Sequence, residues 1–210
     1  MRQLDLRTHV ALVMHHRDAR RPDATGPLAL AALGNSALHI HGQRDSPLDL
    51  QHLHRRDGVE RRVLVLFPGE HARPLTRSLI DEGSRPITLV VPGGSWPRAS
   101  RIPKRVPGLT DAERVVLPPA SASGRAANVN MATIEAIALA LGIIETTAAQ
   151  HHLEALWAHA CPVVDPLPTE DAPTRRAELT IVHDDGDLIA INKPPGMLVH
   201  RGWARDGVPA

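Results

Sequence analysis

Three apolar runs that lack polar alternation constrain the fold of this chain most strongly. They are Val10–Met14, Arg61–Phe67 and Ile87–Val91, and a Pro-Gly pair follows each of the last two. Strands without a polar face are typically buried on both sides, as in a parallel sheet covered by helices. The sequence therefore predicts an α/β fold with a mostly parallel sheet. Shorter strands are expected at Ala37–His41 and Val115–Leu117.

Helical patterns lie between and after these strands. The predicted helices are Pro27–Gly34, Pro74–Asp81, Ser95–Arg105, Ala132–Glu145 and Thr146–Ala160. Pro103 lies inside the third, where a proline removes an N–H donor and clashes with the preceding turn, so a kink or early stop is expected there. The fourth is the strongest prediction because its apolar residues recur on one face. Ser46–Arg56 and Ala120–Asn130 are predicted to be loops.

Composition excludes several classes of protein. Cys161 is the single cysteine, which excludes a disulfide framework and a thiolate metal site. The histidines are scattered without convincing ligand spacing, so no metal is expected. No run approaches the roughly 18 apolar residues of a membrane helix, and the first residues lack the apolar core of a signal peptide, so we expect a cytoplasmic protein.

The cations are arginines except for Lys104 and Lys193. Two explanations stay open at this point. One is a genome rich in G and C, and the other is selection for the bidentate phosphate contacts that arginine makes. The net charge of +1 excludes a basic field over the whole protein.

The last fifty residues change in character. Cys161–Arg176 is rich in proline, so 161–177 is predicted to be a semi-rigid linker. Two apolar segments with an Asp-Asp-Gly-Asp turn follow and predict a β-hairpin appendage within 178–210.

Four segments, in order along residues 1–160, resemble one known family. They are Arg21-Pro22-Asp23-Ala24-Thr25-Gly26, Leu66-Phe67-Pro68, Val91–Ala99 continued by Arg105–Leu109, and Ala132–Leu139. Together they resemble the DTW-domain family of tRNA-uridine aminocarboxypropyltransferases. The resemblance implies a SPOUT-like α/β domain that binds S-adenosylmethionine and transfers its 3-amino-3-carboxypropyl group to N3 of a tRNA uridine. It makes tRNA the expected partner and leaves the oligomeric state open.

The resemblance and the strand ends together suggest a cofactor site. Open α/β sheets bind ligands at the carboxyl ends of their strands, and glycines there let a ligand approach the backbone. The expected cofactor-binding residues are Phe67, Pro68, Gly69, Gly93, Gly94, Thr133 and Glu135. A plain turn at Gly93-Gly94 is the alternative, as is a helix-capping role for Glu135. Ser95 is expected to cap the next helix, and Thr133 or a neighbour the long one after it.

The remaining candidates concern chemistry and RNA. Ser95 and Trp96 are the candidate catalytic residues, with packing as the alternative for Trp96. The candidate RNA-binding residues are Arg21, Thr25, Gly26, Arg98, Arg101 and Arg105, with a solvated face as the alternative for the last three. The aspartate of the family's motif corresponds to Gly93 in this chain.

The tail carries a second resemblance. The run from Asn192 to His200 is similar to the start of the catalytic domain of RluA-type RNA pseudouridine synthases, whose later His-Arg-Leu-Asp segment does not occur before Ala210. We therefore expect a truncated synthase-like hairpin and a possible fused or adjacent pseudouridine synthase. An alternative function follows, in which the first domain is a catalytically degenerate RNA-binding module left from such a fusion.

Overall fold

A computed structural model describes residues 3–118 and 131–160, and the backbone of two strands at 180–184 and 189–192. The chain divides into two compact units, Met1–Val163 and Val164–Ala210. The first unit contains the sheet, both apolar cores and all the side chains discussed below.

The first unit alternates strands and helices, as the sequence predicts. In chain order its elements are β1 His9–His15, α1 His16–Ala19, α2 Gly26–Ala31, β2 Ser36–His41, a 3₁₀ helix Gln51–His54, β3 Arg55–Arg56, β4 Val59–Glu60, β5 Arg62–Leu66, β6 Arg73–Pro74, α3 Arg77–Asp81, β7 Ile87–Gly93, α4 Trp96–Ala99, α5 Ile102–Arg105, β8 Glu113–Val116, α6 Thr133–Ile144 and α7 Thr147–Ala160.

Six of these strands form one sheet in the order β2-β1-β7-β5-β8-β6, and every pairing in it is parallel. The short strands β3 and β4 form a separate antiparallel pair. The predicted α/β class, with a mostly parallel sheet and flanking helices, is therefore confirmed. The central strands β1 and β7 are buried along almost their whole length, which explains their uniformly apolar sequences.

The two faces of the sheet carry two separate apolar cores. Alternate residues of a strand point to opposite faces, so Leu12 and Leu64 contribute to one core while Val13 and Val65 contribute to the other. Helices α6 and α7 cover the first core, together with α2 and α3. The second core is covered by α5 and the 3₁₀ helix. A parallel sheet between two such layers leaves its strand ends as the places where loops can form a site.

Two local predictions need correction, and a third is confirmed. The helix expected over Pro74–Asp81 begins only at Arg77, because Pro74 ends β6 and Thr76 caps the helix by accepting a hydrogen bond from the Leu79 N–H. The loop expected over Ser46–Arg56 contains the 3₁₀ helix, whose Leu53 is buried in the second core. The early stop expected in Ser95–Arg105 is confirmed as a break between α4 and α5.

That break lies before Pro103 and not at it. Pro103 occupies the first turn of α5, where a missing N–H leaves no helical hydrogen bond unmade. The proline therefore starts a new helix and places Ile102 in the second core.

In the second unit, strands β9 Thr180–Asp184 and β10 Ile189–Asn192 pair antiparallel. Four predicted segments lie outside the described residues. They are the loop over Ala120–Asn130, the linker at 161–177, the turn at 185–188 and the synthase-like run beyond Asn192.

Candidate functional site

Two adjoining compartments lie at the carboxyl edge of the sheet, where β1, β5, β7 and β8 end. The first is a cavity of about 120 Å³ with a mainly apolar lining of Leu66, Phe67, Pro68, Val91, Pro92, Gly94, Trp96, Ala99, Val115, Val116, Leu117, Met131, Thr133 and Ala136. We call it the apolar compartment. The second, of about 300 Å³, is lined by Met14, Asp18, Arg21, Asp23, Ala24, Thr25, Gly94, Ser95, Met131, Ala132 and Thr133. We call it the polar compartment.

The two compartments share Gly94, Met131 and Thr133, so they adjoin one another. The first offers mainly apolar side chains, and the second offers charged groups and the N-terminus of α6. The pair of compartments suits a ligand with an apolar part and a charged part.

A buried carboxylate anchors the loop between the compartments. Asp18 follows β1 in α1 and is only 1% exposed. Its Oδ2 accepts hydrogen bonds from the Ser95 N–H and the Ser95 hydroxyl, both at 3.2 Å. Its Oδ1 accepts a hydrogen bond from Arg98 Nη1 at 2.5 Å. Three donors on one carboxylate compensate for much of the cost of burying its charge.

Gly94 is required where the chain passes this carboxylate. Its φ of +105° lies in the region that side chains disfavour, and a Cβ on it would lie 2.6 Å from Asp18 Oδ2. A larger residue would have to push the carboxylate away from Ser95. A glycine at position 94 therefore permits both the tight turn and the close approach of Asp18.

Ser95 does not cap its helix through its side chain as expected. It occupies the N-cap position of α4, but its hydroxyl bonds to Asp18 and makes no capping hydrogen bond. At α6, Thr133 itself makes no capping hydrogen bond. The distant Thr25 contributes there, since its Oγ1 accepts a hydrogen bond from the Ile134 N–H at 3.4 Å.

The capping interpretation of Glu135 is confirmed, since its Oε2 accepts a hydrogen bond from the Ala132 N–H at 2.8 Å. This carboxylate stabilises the first turn of α6 beside the polar compartment. Thr25 and Glu135 together order the stretch of α6 that lines the site.

The charged rim of the polar compartment consists of Arg21 and Asp23. They form an exposed ion pair at 2.6 Å. The hydrogen bond between them raises the pKa of Arg21 and lowers the pKa of Asp23. An exposed pair of this kind adds little to stability and can open when a charged ligand enters.

Histidines extend the edge beyond the polar compartment. The rings of His15 and His16 lie 4.2 Å apart, and His41 lies 6.2 Å from His15. Burial, followed by the neighbouring His16 and Arg98, lowers the pKa of His15, and burial with Arg105 lowers the pKa of His41. The lowered pKa values favour the neutral forms of His15 and His41.

The structure brings together about half of the residues that the sequence singled out. Phe67, Pro68, Gly94, Ser95, Trp96, Thr133, Arg21 and Thr25 line one or both compartments. Arg98 lines neither compartment, but it forms an ion pair with Asp18, which lines the polar compartment.

The other candidates lie away from the lining. Gly26 and Gly93 are buried, and a Cβ on either would press against Leu12. Gly69 is exposed beside Arg114. Arg101 and Arg105 lie on the exposed side of α4 and α5. The cofactor, catalytic and RNA-binding roles assigned to these residues stay predictions.

Sequence reasoning missed Asp18 altogether. It lies in the charged run His16-Arg17-Asp18-Ala19-Arg20-Arg21, which resembles an exposed surface segment. Its one available signal was position, because it follows directly on the carboxyl end of a buried strand. Met131, which lines both compartments, was missed as well.

The unit that holds both compartments also matches a known family. A family model described as the DTW domain matches residues 1–162. The chain belongs to the DTW-domain family. No curated protein and no solved structure shows significant similarity to it. DTW-domain membership covers the unit that contains both compartments, and it is consistent with a role in tRNA modification.

Two further findings concern the described part of this DTW-domain protein. No described helix combines the length and the apolar character needed to cross a membrane. Among the described residues, no group of three or more His, Cys, Asp or Glu side chains is arranged to hold a metal ion.

Proposed function

We propose that this DTW-domain protein is a tRNA-modifying enzyme that transfers the 3-amino-3-carboxypropyl group of S-adenosylmethionine to N3 of a uridine. The proposal rests on one observation, that an apolar and a polar compartment adjoin at the carboxyl edge of a parallel sheet within the DTW domain.

The lining residues fit this cofactor. The apolar compartment offers the partly exposed side chains of Pro68, Val116 and Met131 to the adenine and the ribose. The polar compartment offers Arg21 and the N-terminus of α6 to the α-carboxylate, and Asp23 to the α-ammonium group. The sulfonium would supply the electrophilic carbon when the cofactor is bound.

In the proposed reaction, uridine N3 forms a bond to the γ-carbon of the aminocarboxypropyl group. The bond from that carbon to the sulfonium sulfur breaks, its electron pair stays on sulfur, and methylthioadenosine leaves. The N3 proton passes to a base. The contribution of the protein is to hold N3 in line with the correct carbon, since three carbons are bound to the sulfonium.

Asp18 is our candidate to accept the hydrogen bond of N3–H. The aspartate of the family's motif corresponds to Gly93, yet the Asp18 carboxylate lies against the neighbouring Gly94 and lines the polar compartment. A carboxylate is therefore present beside the motif although the motif residue is absent. No finding favours the alternative of a catalytically degenerate RNA-binding module.

The test uses the full chain, unmodified tRNA and two samples of S-adenosylmethionine, one labelled in the methyl group and one in the aminocarboxypropyl group. We expect mass spectrometry of the digested nucleosides to find label on uridine from the second sample only, with methylthioadenosine as co-product. Label from the methyl sample would show methyl transfer, and no label from either with folded protein would refute the proposed activity.

A further inference from the structure

Trp96 is an exposed aromatic side chain in a chain that has little aromatic content. The protein contains one Phe, three Trp and no Tyr. Trp96 is 50% exposed although it lines the apolar compartment. Single exposed apolar residues are common on protein surfaces, so exposure alone indicates no function. The contacts of the ring and of its neighbouring backbone indicate more than its exposure does.

Two features restrain Trp96. One is a ring contact with Phe67, whose ring centroid lies 4.9 Å from that of the indole at an interplanar angle of 35°. Phe67 itself is only 9% exposed, so it supports Trp96 from beneath and offers no free face of its own. The other is through the backbone, because Ser95 is held to Asp18 by two hydrogen bonds and Pro97 follows at the start of α4.

A ring held this way loses little conformational entropy when a flat ligand stacks on it. The indole is therefore preorganised, with half of its surface open to solvent at the mouth of the apolar compartment.

Three cations that form no ion pair within the described residues follow Trp96 along the chain. Arg101, Lys104 and Arg105 are exposed, and none of them forms an ion pair with another described residue. A stacking ring followed by free cations is the combination with which proteins bind unpaired nucleotides, the ring taking a base and the cations taking phosphates.

We propose that Trp96 stacks on a nucleobase of the RNA substrate, a pyrimidine turned out of its helix and held at the mouth of the apolar compartment. This rests on the proposed function for the identity of the RNA. The adenine of the cofactor is the competing occupant. The RNA base is favoured because half of the Trp96 surface is open to solvent, whereas lining residues that would enclose adenine, such as Val116 and Met131, are less exposed.

The first experiment makes Trp96 the single tryptophan, using the full chain with Trp157→Phe and Trp203→Phe. Its fluorescence is titrated with an unmodified tRNA transcript and, separately, with S-adenosylmethionine. We expect tRNA to quench the emission of Trp96 and the cofactor alone to leave it unchanged.

The second experiment keeps the native tryptophans. Trp96→Ala should weaken tRNA binding by roughly 5-fold to 100-fold, the range expected for loss of one stacked base, and Trp96→Phe should restore most of it. Both variants should change the affinity for tRNA more than the affinity for S-adenosylmethionine. The matched control is Arg101→Ala, which should reduce the salt dependence of tRNA binding without changing the quenching.

Two outcomes would overturn the inference. Quenching by the cofactor alone, with a parallel loss of cofactor affinity in Trp96→Ala, would assign the ring to adenine. Equal tRNA affinity of Trp96→Ala and the wild type would show that no base stacks there. Failure of the proposed function looks different, because tRNA would then quench Trp96 while no group is transferred.

Discussion

The two edges of the parallel sheet use the same hydrogen-bonding arrangement for different purposes. At the carboxyl edge, one oxygen of Asp18 accepts the N–H and the hydroxyl of Ser95. At the amino edge, one oxygen of Glu145 accepts the N–H and the hydroxyl of Thr8, both at 2.6 Å. Glu145 joins the end of α6 to the start of β1, whereas Asp18 anchors a glycine turn between two compartments.

Arginines at the two edges also have different partners. At the amino edge, Arg77 donates to the carbonyls of Ile143 and Ile144, and Arg61 donates to the Ile87 carbonyl at 2.6 Å. Those arginines satisfy backbone oxygens of the protein itself. At the carboxyl edge, Arg101 and Arg105 are exposed and form no ion pair within the described residues. A pocket lined by arginines is therefore not by itself a ligand site, since Arg77 of the amino-edge pocket binds backbone carbonyls of the protein itself.

The largest expected effect is that of Gly93→Asp at the carboxyl edge. A Cβ at Gly93 would lie 2.9 Å from Leu12 Cδ1 and 3.3 Å from Met14 Cγ, so the carboxylate would enter a packed apolar region. We expect the free energy of unfolding to fall by about 3 kcal/mol or more, measured by urea denaturation.

The matched control is Gly69→Asp, at an exposed glycine of the same edge where the near neighbour is the Arg114 guanidinium. It should change the free energy of unfolding by less than about 1 kcal/mol. If Gly93→Asp were as stable as the wild type and more active, Asp18 would not be the carboxylate that serves the site.

The next effect compares the two carboxylates directly. Asp18→Asn should lower the rate of the proposed transfer by roughly 100-fold or more, because the amide cannot accept a proton or balance Arg98. Glu145→Gln should leave the rate within about 2-fold and lower the free energy of unfolding by about 1 kcal/mol. Single-turnover assays and urea denaturation of both variants make the measurement. Equal losses of rate in the two variants would contradict the difference between the edges.

The smallest expected effect is the dependence of the free energy of unfolding on pH, and it involves His9 at the amino edge. His9 is buried, and its Nδ1 lies 2.6 Å from Arg56 Nη1. Desolvation, together with Arg56 and Arg61, lowers the pKa of His9 below its ordinary value. The unfolded chain then binds more protons than the folded one, so stability is full above about pH 6.5 and falls as pH drops through that value.

We expect the urea midpoint to decrease between neutral and mildly acidic pH, and His9→Gln to make that decrease smaller. Part of the decrease should remain in the variant, because the pKa values of His15, His39 and His41 are also lowered. A midpoint that rises on acidification would contradict this assignment.

Much of the fold could be predicted from local pattern. The apolar runs at β1, β5 and β7 predicted a parallel sheet because burial on both faces leaves no polar alternation. The break in Ser95–Arg105 followed from the chemistry of proline.

The site was harder to predict, because it depends on contacts between distant segments. Ser95 was expected to cap its own helix, yet its hydroxyl bonds to Asp18, a residue 77 positions earlier. Thr25 supports α6 across 109 positions. No local pattern reports such pairs, so the strand ends indicated where the site lies but not which side chains anchor it.

Binding of the cofactor at the carboxyl edge can be measured by hydrogen–deuterium exchange of the full chain, with and without millimolar S-adenosylmethionine. We expect slower exchange in the segments 94–96 and 131–133, which line the compartments of the carboxyl edge, and no change in 7–8 and 83–86 at the amino edge. Protection confined to the amino edge, or absent from both edges, would contradict the claim that the carboxyl edge binds the cofactor.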